Sequence, residues 1–273
     1  MDAENLRAHV DSHEGANVIT VSARQTVAAL VRARARAAGS VCLLLFAAAL
    51  ARPDDLPPQH GSLEVLHTVP LHQKAVALTV DLGTTATPAA VNGILQTLDG
   101  HEIKATWFVT GWFVRTHPDL TKKLAADGHH LANHTDKHPN CSAVSSARIE
   151  QELTTVEQLL AAHNLGMHEP RHFRPPFGTY NRRVVDTAAG LGYRTVIWSA
   201  TSADYEPRAN PERCRQTILR RVKPGGIVLV HATATTNRMM EGLVASLEKQ
   251  GYEIVPLADL LHLAHVEMAE QAR

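Results

Sequence analysis

The chain has 273 residues, enough for one large domain or two small ones, and 44% of them are hydrophobic, so a sizeable core is available. The 27 Lys and Arg residues balance the 27 Asp and Glu residues, so no net field favours nucleic acid or an anionic membrane surface as a partner. The three cysteines form no C-x-x-C pair, which excludes a cysteine-based zinc site of the usual spacing.

The N-terminal part of the chain contains the pattern of an export signal. Three arginines within residues 32–36 precede an apolar run at residues 41–50, which ends in an Ala-Leu-Ala step. A positive region, a short apolar region and an A-x-A step are the three parts of a secretory signal peptide. The run is short for a membrane span, which needs about 20 apolar residues. We predict an N-terminal extension with a signal-like segment over residues 1–51 and a proline-containing linker over residues 52–72.

Two alternatives for this segment stay open. Translation could begin near Val31, since valine codons can serve as bacterial starts, and residues 31–51 would then form a compact signal peptide. The segment could instead be an amphipathic helix or a short membrane anchor. We expect a bacterial protein that is secreted or associated with the cell envelope, and that meets the membrane only through this segment.

From residue 74 onward, short β-prone runs alternate with helical patterns, which is typical of βα units around a parallel sheet or barrel. The predicted strands cover residues 75–80, 105–110, 130–133, 173–174, 195–199, 226–230 and 252–255. The predicted helices cover residues 88–98, 119–126, 147–162, 182–189, 211–222, 239–249 and 257–269. This α/β pattern favours a closed or nearly closed parallel barrel, with a doubly wound open sheet as the alternative. We predict one domain over residues 73–265, followed by a C-terminal tail over residues 266–273.

Polar residues that can do chemistry fall at or just past the ends of the predicted strands. They are Asp81, His134, His138, Arg174, Asp204 and His231. In parallel α/β folds the active site lies at the carboxyl ends of the strands, so we expect these side chains to meet at one rim. Some of them could instead cap the following helices, as Asp often does.

His134 and His138 are spaced so that both imidazoles can be aimed at one cation. Because the chain has 17 histidines, such a pair also arises by chance, and the spacing gains weight only from the other rim residues. Cys141 and Cys214 could form a disulfide in an exported protein, or they could remain isolated thiols.

Five segments occur in an order and at intervals that match a known family. They are Asp81 after a Thr-Val strand, ATWFVTG at 105–111, GHHLANHTDKH at 128–138, FRPPFG at 173–178 and LVH at 229–231. Together they resemble the polysaccharide deacetylases with a NodB homology domain, carbohydrate esterase family 4, over residues 73–262. The resemblance implies a distorted (β/α)7 barrel of the NodB type. It also implies metal-dependent removal of acetyl groups from N-acetylated sugars of an extracellular or cell-wall glycan such as peptidoglycan or chitin.

The resemblance implies a catalytic role for four residues. Asp81 matches the general base and Arg174 the arginine that pairs with it, while His231 matches the general acid and Asp204 the aspartate that orients it. These assignments make chemical sense, because a carboxylate can take a proton from water and a paired arginine keeps that carboxylate charged. A histidine of near-neutral pKa can then protonate the departing amine.

By the same resemblance, His134 and His138 bind a divalent metal, with Zn²⁺ favoured and Co²⁺ or Mn²⁺ as alternatives. Phe177 stands where the family usually has a tyrosine whose backbone N–H holds the oxyanion. Tyr205 stands where a tryptophan usually lines the substrate groove. We expect the partner to be an acetylated polysaccharide and the protein to be a monomer.

Leu82 departs from the family pattern, because the family has a metal-binding aspartate there and a leucine cannot ligate a cation. Three interpretations follow. The first, which the presence of the other catalytic residues favours, is a working deacetylase with a two-histidine metal site. The second is a catalytically degenerate barrel that still binds glycan. The third is a hydrolase of another acylated substrate, such as an O-acetyl ester.

Overall fold

A computed structural model describes residues 65–273 of the chain. The predicted signal-like segment and most of the predicted linker therefore lie outside the described residues. Within residues 65–273, no helix combines the length and the apolar character that crossing a bilayer requires.

A parallel sheet forms the centre of the described domain. Its strands are β1 (Ala75–Leu82), β2 (Thr106–Val109), β3 (His130–Asn133), β4 (His172–Phe173), β5 (Arg194–Thr195), β6 (Ala200–Thr201), β7 (Gly226–His231) and β8 (Glu253–Val255). Their order across the sheet is β5-β4-β3-β2-β1-β7-β6, and β8 pairs with the start of β1. All eight residues of β1 are buried, as expected for a parallel strand that is covered on both faces.

Helices connect most of the strands. They are α1 (Pro88–Gly100), α2 (Gly111–Thr116), α3 (Pro118–Ala126), α4 (Ser146–Ala161), α5 (Arg182–Gly190), α6 (Pro211–Arg221), α7 (Ala234–Lys249) and α8 (Leu257–Gln271). Two short 3-10 turns, Cys141–Ala143 and Pro176–Gly178, lie in the loops after β3 and β4.

Three helices begin at threonine caps that follow strands β1, β2 and β7. Thr87, Thr110 and Thr233 each accept a hydrogen bond from a backbone N–H in the first turn, in α1, α2 and α7 respectively. The caps fix where the helices start, so the connecting loops stay short and the strand ends stay close to one another.

The side chains of β1 alternate between two environments, as in any strand. Leu78, Val80 and Leu82 belong to the large apolar cluster that contains the inner faces of α1 and α7. Ala75 and Ala77 belong to a second cluster inside the curled sheet, which α8 closes. Asp81 therefore faces the inside of the sheet, whereas Leu82 faces the helices.

The predicted α/β fold with a parallel sheet is confirmed, with two local differences. Only Thr195 of the predicted strand over residues 195–199 lies in a strand, because β5 ends there and β6 begins at Ala200. Between them the chain turns away from β4: the Leu66 backbone bonds to Thr195 and Ile197, while Ser199 bonds to Ile227 of β7. Helix α2 was not predicted; its six residues are too few to show helical periodicity.

The ends of the domain also differ from the predicted boundaries. Residues 66–69, which fall in the predicted linker, lie against the sheet, because Leu66 pairs with Val196 and Thr68 with Gly226. At the other end, α8 continues to Gln271 and takes in most of the predicted tail. Cys141 and Cys214 are both buried free thiols, so no disulfide joins them.

Candidate active site

A cleft of about 610 Å³ opens at the carboxyl ends of the strands. Six of the eight predicted site residues line it: Asp81, His134, His138, Phe177, Tyr205 and His231. The remaining two, Arg174 and Asp204, are fully buried behind its wall. The strand register explains this meeting, because Asp81 pairs with His231 across β1 and β7, while His134 directly follows β3.

Asp81 and Arg174 form a buried ion pair. The Arg174 Nη1 donates to Asp81 Oδ1 at 2.7 Å and its Nη2 donates to the Ile197 carbonyl at 2.9 Å. The guanidinium also lies over the ring of Phe108, 4.0 Å from its centroid. Burial opposes ionisation of Asp81, but the charges of Arg174, His134 and His231 and the hydrogen bond from Arg174 outweigh it and lower the Asp81 pKa. Asp81 is thus held as a carboxylate.

His231 is oriented by Asp204. Its Nδ1 donates to Asp204 Oδ1 at 3.1 Å, and its backbone N–H donates to Oδ2 at 2.7 Å. The Thr236 hydroxyl also donates to Oδ2, which fixes the carboxylate further. Burial alone lowers the His231 pKa, yet the hydrogen bond and charge of Asp204, with the charge of Asp81, raise it overall. The tautomer with hydrogen on Nδ1 leaves Nε2 available to exchange a proton in the cleft.

His134 and His138 lie side by side, with ring centroids 4.9 Å apart. The Nδ1 of His134 donates to the Arg174 carbonyl at 2.8 Å, which leaves the Nε2 lone pair directed to the cleft, 3.5 Å from Asp81 Oδ2. Burial lowers the His134 pKa, and burial followed by the His134 charge lowers the His138 pKa to about 4. Both imidazoles are therefore neutral near pH 7, which is the form that binds metals.

The loop that presents His138 is held from several sides. Thr135 and His138 both have positive φ angles, and the Thr135 hydroxyl accepts the His138 backbone N–H at 3.1 Å. Asp136 pairs with Arg115, and the Glu152 carboxylate accepts the Lys137 N–H at 2.7 Å. The position of the second imidazole is thus set by contacts outside the cleft.

The family implies a divalent metal, and the donors present fit such an ion only in part. Two neutral imidazoles are suitable zinc ligands, and Asp81 Oδ2 is the carboxylate oxygen beside them. Within residues 65–273, however, no group of three or more His, Cys, Asp and Glu side chains is arranged to hold a metal. Leu82 cannot complete the set, since its side chain lies in the helix-facing core. Its carbonyl is occupied by the Thr110 hydroxyl at 2.8 Å.

Two exposed aromatic side chains flank the histidines. Phe177 is 66% exposed, and its ring packs edge-to-face with the His138 ring at a centroid distance of 4.8 Å. Tyr205 is 56% exposed and packs in the same way with the His231 ring, at a centroid distance of 5.3 Å. Phe177 has a φ of 60°, a strained value for a residue other than glycine. The next residue must be glycine, because a Cβ on Gly178 would lie 2.6 Å from Trp198.

Several wall residues were missed by the sequence analysis. Thr84, Thr85, Trp198, Thr201 and Ser202 also line the cleft. Trp198 was visible only as part of a predicted strand. The others have ordinary polar side chains whose place in the wall is decided by how the chain closes, and no local pattern marks them.

Comparison with known proteins identifies the family. Residues 68–196 match the family model described as polysaccharide deacetylase. The chain is 32% identical over 202 residues to a chitooligosaccharide deacetylase of Bradyrhizobium sp. (strain ANU 289), an alignment that covers 68% of this chain and 90% of the relative. The chain belongs to the polysaccharide deacetylase family. This confirms the predicted family.

Other members show the range within this polysaccharide deacetylase family. A peptidoglycan-N-acetylglucosamine deacetylase of Bacillus cereus is 32% identical over 203 residues, covering 72% of this chain and 92% of the relative. The uncharacterized protein YlxY of Bacillus subtilis is 31% identical over 168 residues, 62% of this chain, and the alignment covers only about half (52%) of YlxY's own length.

Solved structures confirm the NodB-type barrel of the polysaccharide deacetylase family. BA3943 of Bacillus anthracis, a pseudoenzyme of carbohydrate esterase family 4, is 28% identical and superimposes with a TM-score of 0.68 over 76% of this chain and 70% of its own. A mutant of BA3943 with restored enzymatic activity gives the same TM-score at 29% identity, over 76% of this chain and 73% of its own. The family thus contains both deacetylases and at least one pseudoenzyme.

Proposed function

We propose that this protein hydrolyses the acetamido groups of N-acetylated sugars in a cell-wall or other extracellular glycan of a bacterium. The observation that carries the proposal is the pairing of an ionised Asp81 with an Asp204-oriented His231 on neighbouring strands, facing the two neutral imidazoles of His134 and His138. Base, acid and metal donors thus share one cleft.

The residues divide the reaction between them. Asp81 takes a proton from a water molecule in the cleft as that water attacks the acetyl carbon. Arg174 keeps the carboxylate charged and fixes its direction. Protonated His231 then gives its Nε2 proton to the sugar nitrogen as the C–N bond breaks, and acetate leaves. The raised pKa of His231 favours the protonated form that this step requires.

The developing negative charge on the acetyl oxygen needs donors. The turn at Pro176–Gly178 follows β4 at the edge of the cleft, and the backbone N–H of Phe177 is the proposed source, since Pro176 has no N–H and the Gly178 N–H donates to the Pro175 carbonyl. Losing one such donor typically costs about 2.7–4 kcal/mol of transition-state stabilisation. When bound by His134 and His138, a divalent cation would polarise the acetyl carbonyl and lower the pKa of water.

Acetate release tests the proposal. The full chain is incubated with chitooligosaccharides, peptidoglycan and acetylated xylan, in EDTA and after addition of Zn²⁺, Co²⁺ or Mn²⁺. We expect release from an N-acetylated glycan that EDTA stops and metal restores, and that Asp81→Asn abolishes. Release that persists in EDTA contradicts the metal assignment, and release from xylan alone supports the O-acetyl esterase.

A second candidate, a glycan-binding barrel without turnover, is favoured by one observation. Leu82 contributes no donor to the cleft, so the metal set is smaller than the family's. Retention of the protein on insoluble peptidoglycan or chitin, without acetate release under any metal, would support this candidate over the enzyme.

A further inference from the structure

A second groove of about 600 Å³ adjoins the cleft. The two share a wall made of Thr201, Ser202 and Tyr205. Since the Tyr205 ring touches His231, the groove begins one side chain away from the proposed general acid. A polymer whose acetamido group lies in the cleft can therefore continue into the groove.

The groove carries excess positive charge. Its lining includes Arg208, Arg213 and Arg221 but only one acidic residue, Glu206. Across residues 65–273, none of these three guanidinium groups lies within 4.0 Å of a carboxylate. Arg215, which shares helix α6 with Arg213 and Arg221, behaves differently, since it pairs with Glu212. Although the chain as a whole has no net charge, three arginines without a carboxylate partner lie beside its candidate active site.

Ser202 gives an independent sign of a ligand. The residue is only 7% exposed, and in the described part of the chain its Oγ has no hydrogen-bond partner. Leaving a buried hydroxyl unpaired costs about 1–3 kcal/mol, so such groups usually meet a partner that comes from outside the protein. Because Ser202 lines both the cleft and the groove, a saccharide crossing from one to the other would pass it.

We propose that this groove, the arginine groove of Arg208, Arg213 and Arg221, binds carboxylate groups carried by the glycan next to the sugar that is deacetylated. A guanidinium matches a carboxylate in shape and offers two parallel hydrogen bonds. The natural substrate is then an acidic glycan, such as a strand with lactyl ethers or peptide side chains, and not a neutral one. This inference rests on the proposed function for the placement of the acetamido group.

Binding measurements on the full chain test the groove without requiring turnover. Three tetrasaccharides are compared by calorimetry: chitotetraose, a peptidoglycan tetrasaccharide with free lactyl carboxylates, and the same strand with its stem peptides. We expect the carboxylated strands to bind about fivefold more tightly at low salt, because exposed ion pairs each contribute modestly. The difference should shrink as salt is added. The stem peptide is joined to the lactyl carboxyl by an amide bond, which removes that carboxylate. Tighter binding of the strand with stem peptides than of the strand with free lactyl groups would therefore place the peptide carboxylates in the groove, and weaker binding would place the lactyl carboxylates there.

The variant Arg208→Gln/Arg213→Gln/Arg221→Gln should lose the preference and bind chitotetraose unchanged. Arg220→Gln is the matched control, since Arg220 is exposed on the same helix and does not line the groove. Arg221 bonds to the Thr201 carbonyl, so the double variant Arg208→Gln/Arg213→Gln serves if the triple variant does not fold.

Three results would overturn the inference: equal affinity for neutral and carboxylated strands, an unchanged preference in the variants, or an equal loss with Arg220→Gln. Acetate release from the same strands separates the two proposals. Arginine-dependent binding without release refutes the deacetylase and keeps the groove. Release with no dependence on the arginines refutes the groove and keeps the deacetylase.

Discussion

Replacing Leu82 by aspartate tests whether a carboxylate at this position would strengthen zinc binding by His134 and His138. The Leu82 side chain is fully buried in the helix-facing core, so losing its packing should destabilise the metal-free protein by about 3 kcal/mol, as buried Leu→Ala changes do. Its backbone is pinned by Thr110. The side chain of an aspartate at this position would therefore either stay in the apolar core, which is unfavourable for a carboxylate, or rotate towards His134 and His138 and act as a metal ligand.

Thermal unfolding with and without Zn²⁺ distinguishes these options. If the new carboxylate joins the imidazoles, Zn²⁺ at 100 times its Kd should return about 2.7 kcal/mol, which nearly offsets the lost packing. Leu82→Asn is the matched control, because it loses the same packing and gains no anionic ligand. Calorimetry should show tighter zinc binding to Leu82→Asp than to wild type. Equal zinc affinity in the two proteins, or an equal rescue of Leu82→Asn, would refute the reasoning.

Three further predictions follow from the site and its supports. His231→Ala should lower turnover strongly and leave the metal content unchanged; loss of metal would make His231 a ligand. Burial, followed by the charge of Arg194, lowers the His172 pKa to about 3. As the pH drops below about 6.5, His172 is therefore protonated in the unfolded chain but not in the folded one, and the free energy of unfolding decreases. At pH 5 the free energy of unfolding, measured by urea denaturation, should be lower by about 2 kcal/mol, and His172→Gln should make it depend less on pH. Gly178→Ala should destabilise by about 1–3 kcal/mol. Gly190→Ala, at the end of helix α5 with open space around it, should instead stabilise by up to about 1 kcal/mol.

The meeting of the candidate site residues at one rim could be predicted because its signals are local. Asp81 and His231 each follow a continuous apolar run, and a parallel strand must deliver its last side chain to the common edge. The alternation of β1 also decides that adjacent positions face opposite sides. Sequence alone could not show that the Leu82 side chain points away from the cleft. The family's aspartate occupies the same position at the end of the strand, and there its side chain reaches the metal site.

The parts that could not be predicted depend on closure of the sheet. Strands β5 and β6 have two residues each, too few for any periodicity, and their neighbours include Leu66 from far earlier in the chain. The arginine groove has the same origin. Its residues are ordinary surface positions in the sequence, and only the turn between β6 and α6 brings them beside Tyr205.

Arg174 joins two functions in one residue. Its side chain holds the Asp81 carboxylate, while its backbone carbonyl holds His134 Nδ1 and its own N–H is held by the Asn133 carbonyl. The proposed base, Asp81, and the first proposed metal donor, His134, are thus both positioned by hydrogen bonds to Arg174 at the end of β4. Any displacement of that strand end carries both together, so their separation is preserved under strain. Anyone moving this chemistry onto another barrel must transplant the end of β4 as a unit and not the two reactive side chains alone.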